Sequence, residues 1–320
     1  MVLVLVDQVG GSVSDPTLQA LTLARAFAAG QPVHALVVGA DGPATAGALG
    51  QQGVATAHIT DRVELRSFAP DALAATLGDL ADRLGATAVI AAGTERGTEI
   101  MARLAARAGL PLAANCTTVV AGPPVTLTRL RWGGSLLEEA RLHSPRPLIT
   151  VAPHTVPIET VIGAAPAEVE SFTPELDPRD LVVRVTEHVA APGGGISLTE
   201  AKVVVSGGRG VGSREGFAII EELAGLLGAA VGCSRAVTSA GWRPHTDQVG
   251  QTGTKIAPDV YIACGISGAT QHMAGCKGAK KILAINSDAE SPIMLSADYA
   301  VIGDLKEIVP AISAAIRQRS

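Results

Sequence analysis

The residues able to do chemistry gather in six polar, glycine-rich segments of the C-terminal third: 206–213, 233–235, 248–254, 265–272, Asn286 and Asp304. Five of them follow a short apolar run, and in open parallel sheets ligands bind beyond the carboxyl ends of the strands. Free N–H groups at the helix start near Ser213, with Arg209 alongside, would suit a diphosphate. The segment Gly207-Gly208-Arg209-Gly210-Val211-Gly212-Ser213 is no dinucleotide fingerprint, because Ser213 stands where the last glycine would fall, and no P-loop, because no lysine follows Gly212. His272 comes after Ser267-Gly268-Ala269 at a strand end, a place for a ligand contact rather than for a core imidazole. Arg235, Asn286 and Asp304 read equally well as ligand contacts, ion-pair partners or turn caps. Gly268 and Gly275 mark either tight backbone or close ligand approach.

Other chemistries find no support. Glu138 and Glu139 are adjacent in a hairpin, so their side chains face opposite ways and form no paired-carboxylate site. No nucleophile elbow or Ser–His–Asp order is present. Gly93-Thr94-Glu95-Arg96-Gly97 reads as a helix start capped by Thr98. Cys116, Cys233, Cys264 and Cys276 lack any Cys-x-x-Cys spacing, which argues against a metal site and for small, reduced packing residues.

The elements that must position these residues alternate. Apolar runs at 2–6, 33–38 and 87–91 interleave with helical patterns at 16–29, 71–84 and 98–108, the signature of βαβ units on a mainly parallel sheet. The first helix is expected to take Asp15 as its cap and Pro16 at its first position. Residues 125–142 and 147–151 suggest a small antiparallel addition at the sheet edge. Ala190-Ala191-Pro192-Gly193-Gly194-Gly195 punctuates the chain, giving an N-terminal domain 1–190, a linker 191–198 and a second domain 199–320. Strands are expected there at 202–205, 229–231, 259–264, 281–285 and 299–302, with a helix over 214–227 that aligns Phe217, Ile220, Leu223 and Leu227. The fold class is α/β, two domains each with a mainly parallel sheet flanked by helices, the second a nucleotide-binding three-layer sandwich.

With 320 residues, 47% hydrophobic and 17% charged, two packed domains are expected and disorder is excluded. A net charge of −5 without basic runs argues against nucleic acid or anionic membranes. No apolar run spans a bilayer and no signal peptide is recognisable at the start, which points to the cytoplasm. Only eight aromatic side chains are present, few for gripping a large flat ligand by stacking.

Taken together, Gly207-Gly208-Arg209-Gly210, Cys233-Ser234-Arg235-Ala236, Gln248-Val249-Gly250-Gln251-Thr252-Gly253, Gly265-Ile266-Ser267-Gly268-Ala269-Thr270-Gln271-His272, Ala284-Ile285-Asn286 and Gly303-Asp304-Leu305 closely resemble the α subunit of electron transfer flavoproteins over the whole second domain. The N-terminal domain agrees in length and rhythm. The resemblance implies an FAD held by Arg209, Ser234, Arg235, Gln248, Val249, Gly250, Gln251, Thr252, Ser267, Gly268, Ala269, Thr270, Gln271, His272, Asn286, Asp304 and Leu305. Arg209 and the backbone of 267–269 would serve the diphosphate, and Asn286 and Asp304 the adenosine end. Thr252 would meet flavin N5, while Arg235 and His272 would favour the reduced, anionic ring. It also implies a heterodimer with a β subunit, donors among acyl-CoA or other flavin dehydrogenases as in fatty acid oxidation, and a quinone reductase or comparable acceptor. The chain would be a carrier, not an enzyme, with no catalytic residue and no metal. Ser287, Ala289, Met294, Cys276 and Ala300 depart from the family's usual residues on the adenosine side or in the core. The rival readings are an FAD- or NAD-dependent oxidoreductase or transferase with its own substrate and a nucleotide-binding regulatory module. None of the implied flavin positions is aromatic, so the ring would be gripped by polar groups, with Trp242 or the partner chain supplying any stacking.

Overall fold

The structure is a computed structural model that describes residues 1–9, 11–39, 41–187, 196–199 and 201–318. The chain divides into two compact units, Met1–Val189 and Ala190–Ser320. The proline–glycine stretch 190–195 lies outside the described residues.

In the first unit the order is β1 (Val2–Leu5), β2 (Gln8–Val9), β3 (Ser12–Val13), α1 (Asp15–Ala28), β4 (Val33–Val38), α2 (Gly42–Leu49), β5 (Val54–Thr60), α3 (Pro70–Arg83), β6 (Ala88–Ala92), α4 (Glu95–Ala108), β7 (Leu112–Val120), β8 (Val125–Arg131), β9 (Leu136–Leu142), β10 (Leu148–Val151) and β11 (Glu168–Ser171). Nine of these strands form one sheet in the order β11-β5-β4-β1-β6-β10-β7-β8-β9, parallel from β11 to β7 and antiparallel through β8 and β9. Period-two alternation along β1 sends Val2 and Val4 to the core under α1, and Leu3 and Leu5 to the core under α3 and α4. The antiparallel edge is formed by β7 to β9. Residues 147–151 correct the expectation: β10 is parallel and sits inside the sheet between β6 and β7, as four fully buried residues in a row require. Two caps also differ. Ser14 takes the cap position of α1 ahead of Asp15, and Thr94, whose hydroxyl accepts from Gly97 N at 3.0 Å, caps α4 in place of Thr98.

The second unit runs β12 (Val203–Gly207), α5 (Ala218–Leu227), β13 (Ala230–Cys233), α6 (Arg235–Ser239), β14 (Val260–Cys264), α7 (Thr270–Cys276), β15 (Lys281–Asn286), α8 (Ile293–Ser296), β16 (Tyr299–Ile302) and α9 (Leu305–Arg317). Its five strands are all parallel in the order β13-β12-β14-β15-β16. Val204, Tyr261 and Ala284 face a core with α7 and α8, while Val205, Ile262 and Ile285 face one with α5 and α9, so helices cover both faces. The sheet order reverses between β12 and β14, which places the ligand crevice of such folds over their carboxyl ends.

Candidate functional site

The loops leaving β12 and β14 are joined at the reversal point: Gly208 N donates to Cys264 O at 2.8 Å and Gly210 N to Gly265 O at 3.1 Å. A Cβ on Gly208 would collide with the Gly265 carbonyl, so this approach needs glycine. Beyond these loops opens a cavity of about 440 Å³. Of the residues the sequence nominated, Arg209, Ser234, Arg235, Gln248, Val249, Gly250, Gln251, Thr252, Ser267, Gly268, Ala269, Gln271, His272 and Asn286 line it. Thr270, Asp304 and Leu305 do not. Asp304 caps α9 by accepting from Lys306 N at 2.8 Å, and Leu305 is buried against Gly210 and Gly265. Ser213 is also outside the lining, and its hydroxyl accepts from Gly216 N at 3.2 Å.

The loop 248–254 is built around one buried amide. The Thr238 hydroxyl donates to Gln248 Oε1 at 2.6 Å, with the Arg235 carbonyl as a second acceptor at 3.0 Å, and Gln248 Nε2 donates to Thr252 Oγ1 at 3.0 Å. Thr252 Oγ1 is thereby an acceptor within the protein, and its own proton is left for the cavity. Gln251 N donates to Gln271 O at 2.7 Å, fastening the loop to α7. A Cβ on Gly275 would collide with the Gly250 backbone, so this approach of α7 to the loop needs glycine at 275.

Arg209 and Arg235 are exposed on the rim and make no ion pair among the described residues. His272 is buried, and desolvation lowers its pKa from the usual 6.5 to about 4, with the Val249 backbone pulling more weakly the other way. The imidazole is therefore neutral, so the positive edge contributed to the cavity is Arg235 and not His272. Its Nε2 shares a proton with the buried Tyr261 hydroxyl at 2.7 Å, while Nδ1 is buried with no hydrogen-bond partner among the described residues.

Asn286 is braced inside the loop after β15. Its Nδ2 donates to Ile266 O at 3.0 Å and to Ser291 Oγ at 3.1 Å, and its Oδ1 accepts from Asp288 N at 3.1 Å. Both amide protons are spent on the wall, and a second lone pair of Oδ1 stays open at the cavity it lines. Asp288 and Ser291, which the sequence reading passed over, line the cavity too, and their signal was two polar residues directly behind a strand that ends in Asn286. No Phe, Tyr or Trp among the described residues lines the cavity, and Trp242 packs into the core beneath α5. Burial pushes Cys233, Cys264 and Cys276 up to about 12, so none offers a thiolate. A second cavity, of about 490 Å³ in the first unit, lies between the end of α1 and the loop joining β7 to β8, and no Asp, Glu, Lys or Arg among the described residues lines it.

These loops define a nucleotide-type site on a doubly wound sheet, and comparison with known proteins gives its class. Residues 2–177 match the family model described as electron transfer flavoprotein domain, and residues 197–277 the one described as electron transfer flavoprotein FAD-binding domain. The chain is 37% identical over 321 residues to the electron transfer flavoprotein subunit alpha of Mycobacterium leprae, covering 99% of this chain and 98% of that one. It is 33% identical to the same subunit of Bacillus subtilis, covering 99% and 97%, and 36% identical to the protein FixB of Clostridium saccharobutylicum, covering 84% and 82%. The chain belongs to the electron transfer flavoprotein alpha subunit family, and its cofactor is FAD. The family implies a beta subunit as partner. Among the described residues no helix is long and apolar enough to cross a membrane.

Proposed function

We propose that the chain carries electrons between proteins and has no small-molecule substrate of its own. One observation carries this reading: the cavity lining holds two arginines that make no ion pair among the described residues and a hydroxyl with a free proton, while its histidine is held neutral by burial and its carboxylate is engaged by its own loop. A dehydrogenase acting on its own substrate needs a proton-transfer group. His272 is neutral and tied to Tyr261, and Asp288, the one carboxylate in the lining, is held by Ser291 Oγ and Glu290 N at 3.0 Å each.

The FAD supplies one- and two-electron transfer when bound. Arg209 and the backbone of 267–269 would neutralise and hold its diphosphate. Arg235 would stabilise negative charge on the ring, and Thr252 would offer its hydroxyl proton to the ring's N5 edge. Asp288, beside Asn286, would accept from the ribose hydroxyls. The donors are acyl-CoA or other flavin dehydrogenases, the acceptor is a quinone reductase or a comparable protein, and the setting is the cytoplasm. The polar, non-aromatic lining supports a flavin held with one edge open to partner proteins.

Coexpression with its beta subunit, followed by purification, tests the reading. The expected product is a yellow heterodimer reduced by a flavin dehydrogenase and its substrate, and not by that substrate alone. Direct turnover of the substrate by the heterodimer would sink the carrier assignment.

A further inference from the structure

Tyr261 is fully buried on β14 among Val204, Ala263, Ile282 and Ala284. A phenylalanine would fill the same space, and a phenol hydroxyl in such a core is destabilising unless it is hydrogen-bonded. It hydrogen-bonds His272 Nε2 at 2.7 Å, with the two rings 6.1 Å apart and inclined at 33°. Burial raises the phenol pKa well above its usual value, and the Ser206 side chain, a second hydrogen-bond neighbour, opposes this only weakly, so the hydroxyl stays protonated and has a proton to give to Nε2. A neutral imidazole carries one proton, and with Nε2 accepting, that proton resides on Nδ1. Nδ1 makes no well-formed hydrogen bond among the described residues, the Val249 backbone acting on the ring only weakly, and His272 lines the cavity.

We propose that Tyr261 is a positioning residue for the flavin site: its hydroxyl holds the His272 ring and fixes it as the Nδ1–H tautomer, so that His272 offers a cofactor an N–H and not a lone pair. This rests on the FAD reading above. A fixed donor strengthens as electron density on a bound flavin rises, so the pair favours the reduced cofactor. The side chain does so from the core, without touching the cavity itself.

The test is Tyr261→Phe in the heterodimer, labelled with ¹⁵N-histidine and measured with and without FAD. The expected ring ¹⁵N signals of His272 show a protonated Nδ1 and an unprotonated Nε2 in the unsubstituted protein, and exchange between tautomers in Tyr261→Phe. The preference for reduced over oxidised FAD should fall about fivefold, or about 40 mV for one electron. As a second arm, 3-fluorotyrosine replaces both tyrosines of the chain, with the exposed Tyr299 controlled by Tyr299→Phe. The more acidic phenol should strengthen the bond and move the potential opposite to Tyr261→Phe, a response that mere space-filling would not give. A tautomer unchanged in Tyr261→Phe, an unchanged potential, or shifts of the same sign in both arms would each overturn the assignment. A tautomer change in a heterodimer that binds no FAD would uphold the Tyr261–His272 pair and remove the flavin reading instead.

Discussion

Thr238→Val is the most informative single change outside the cavity wall. Thr238 does not line the cavity, yet its hydroxyl orients the Gln248 amide, whose Nε2 then donates to Thr252 and frees the Thr252 proton. With valine at 238, Gln248 Oε1 loses its donor, and the amide regains the opposite orientation in which Thr252 becomes the donor to Gln248. The cavity then meets an oxygen lone pair where it had a proton. The net worth of one such hydrogen bond is about 1 kcal/mol. If the bond is made more strongly to reduced flavin, its loss shifts the preference about fivefold and lowers the one-electron potential by about 40 mV. Potentiometric titration of the FAD-loaded heterodimer measures this, and Thr252→Val should reproduce most of it. The double variant should add little to either, because both remove the same donor. An unmoved potential in Thr238→Val, or fully additive shifts, would refute the relay.

Arg235→Ala should also lower the flavin potential and Arg235→Lys should restore much of it, since charge more than fork geometry acts on the ring; unchanged potentiometry would remove Arg235 from this role. Gly208→Ala should destabilise the second unit by about 1–3 kcal/mol and release FAD, because the new methyl meets the Gly265 carbonyl, and thermal melting with flavin fluorescence reads both. The folded pKa of His272, about 4, lies below its usual 6.5, so the unfolded chain binds more protons between these values and stability falls as the pH is lowered through that window. Compared with His272→Gln, this contributes up to about 3 kcal/mol of acid sensitivity, and identical denaturation profiles of the two proteins from pH 7 to 4 would contradict a buried neutral ring.

Much of the second unit was legible because its signals are local. Valine- and isoleucine-rich runs ending in glycine and hydroxyl residues mark strands and the crevice above them, and the β12 to β16 strands fall where those runs do. What escaped depends on contacts between distant residues. Asn286 reads in sequence as a ligand group, and its three hydrogen bonds to Ile266, Asp288 and Ser291, which also make it a brace of the cavity wall, join residues up to twenty positions apart. Tyr261 reads in sequence as an ordinary core aromatic, because nothing local reveals a histidine across the helix layer. Leu148-Ile149-Thr150-Val151 reads as part of the antiparallel edge from its neighbours along the chain, although a run buried at every residue belongs inside a parallel sheet. The first helix and α4 were found, but each began at a different cap, since several hydroxyl and carboxylate side chains compete for those amides.

The central claim is that the cavity of this chain's second unit holds FAD, and counting flavin per heterodimer after Thr252→Trp tests it most directly. Thr252 is exposed, so an indole there leaves the core untouched while occupying the cavity. The heterodimer should keep its melting temperature and lose one equivalent of FAD relative to the unsubstituted protein. Undiminished FAD in a folded Thr252→Trp heterodimer would place the flavin elsewhere and contradict the account.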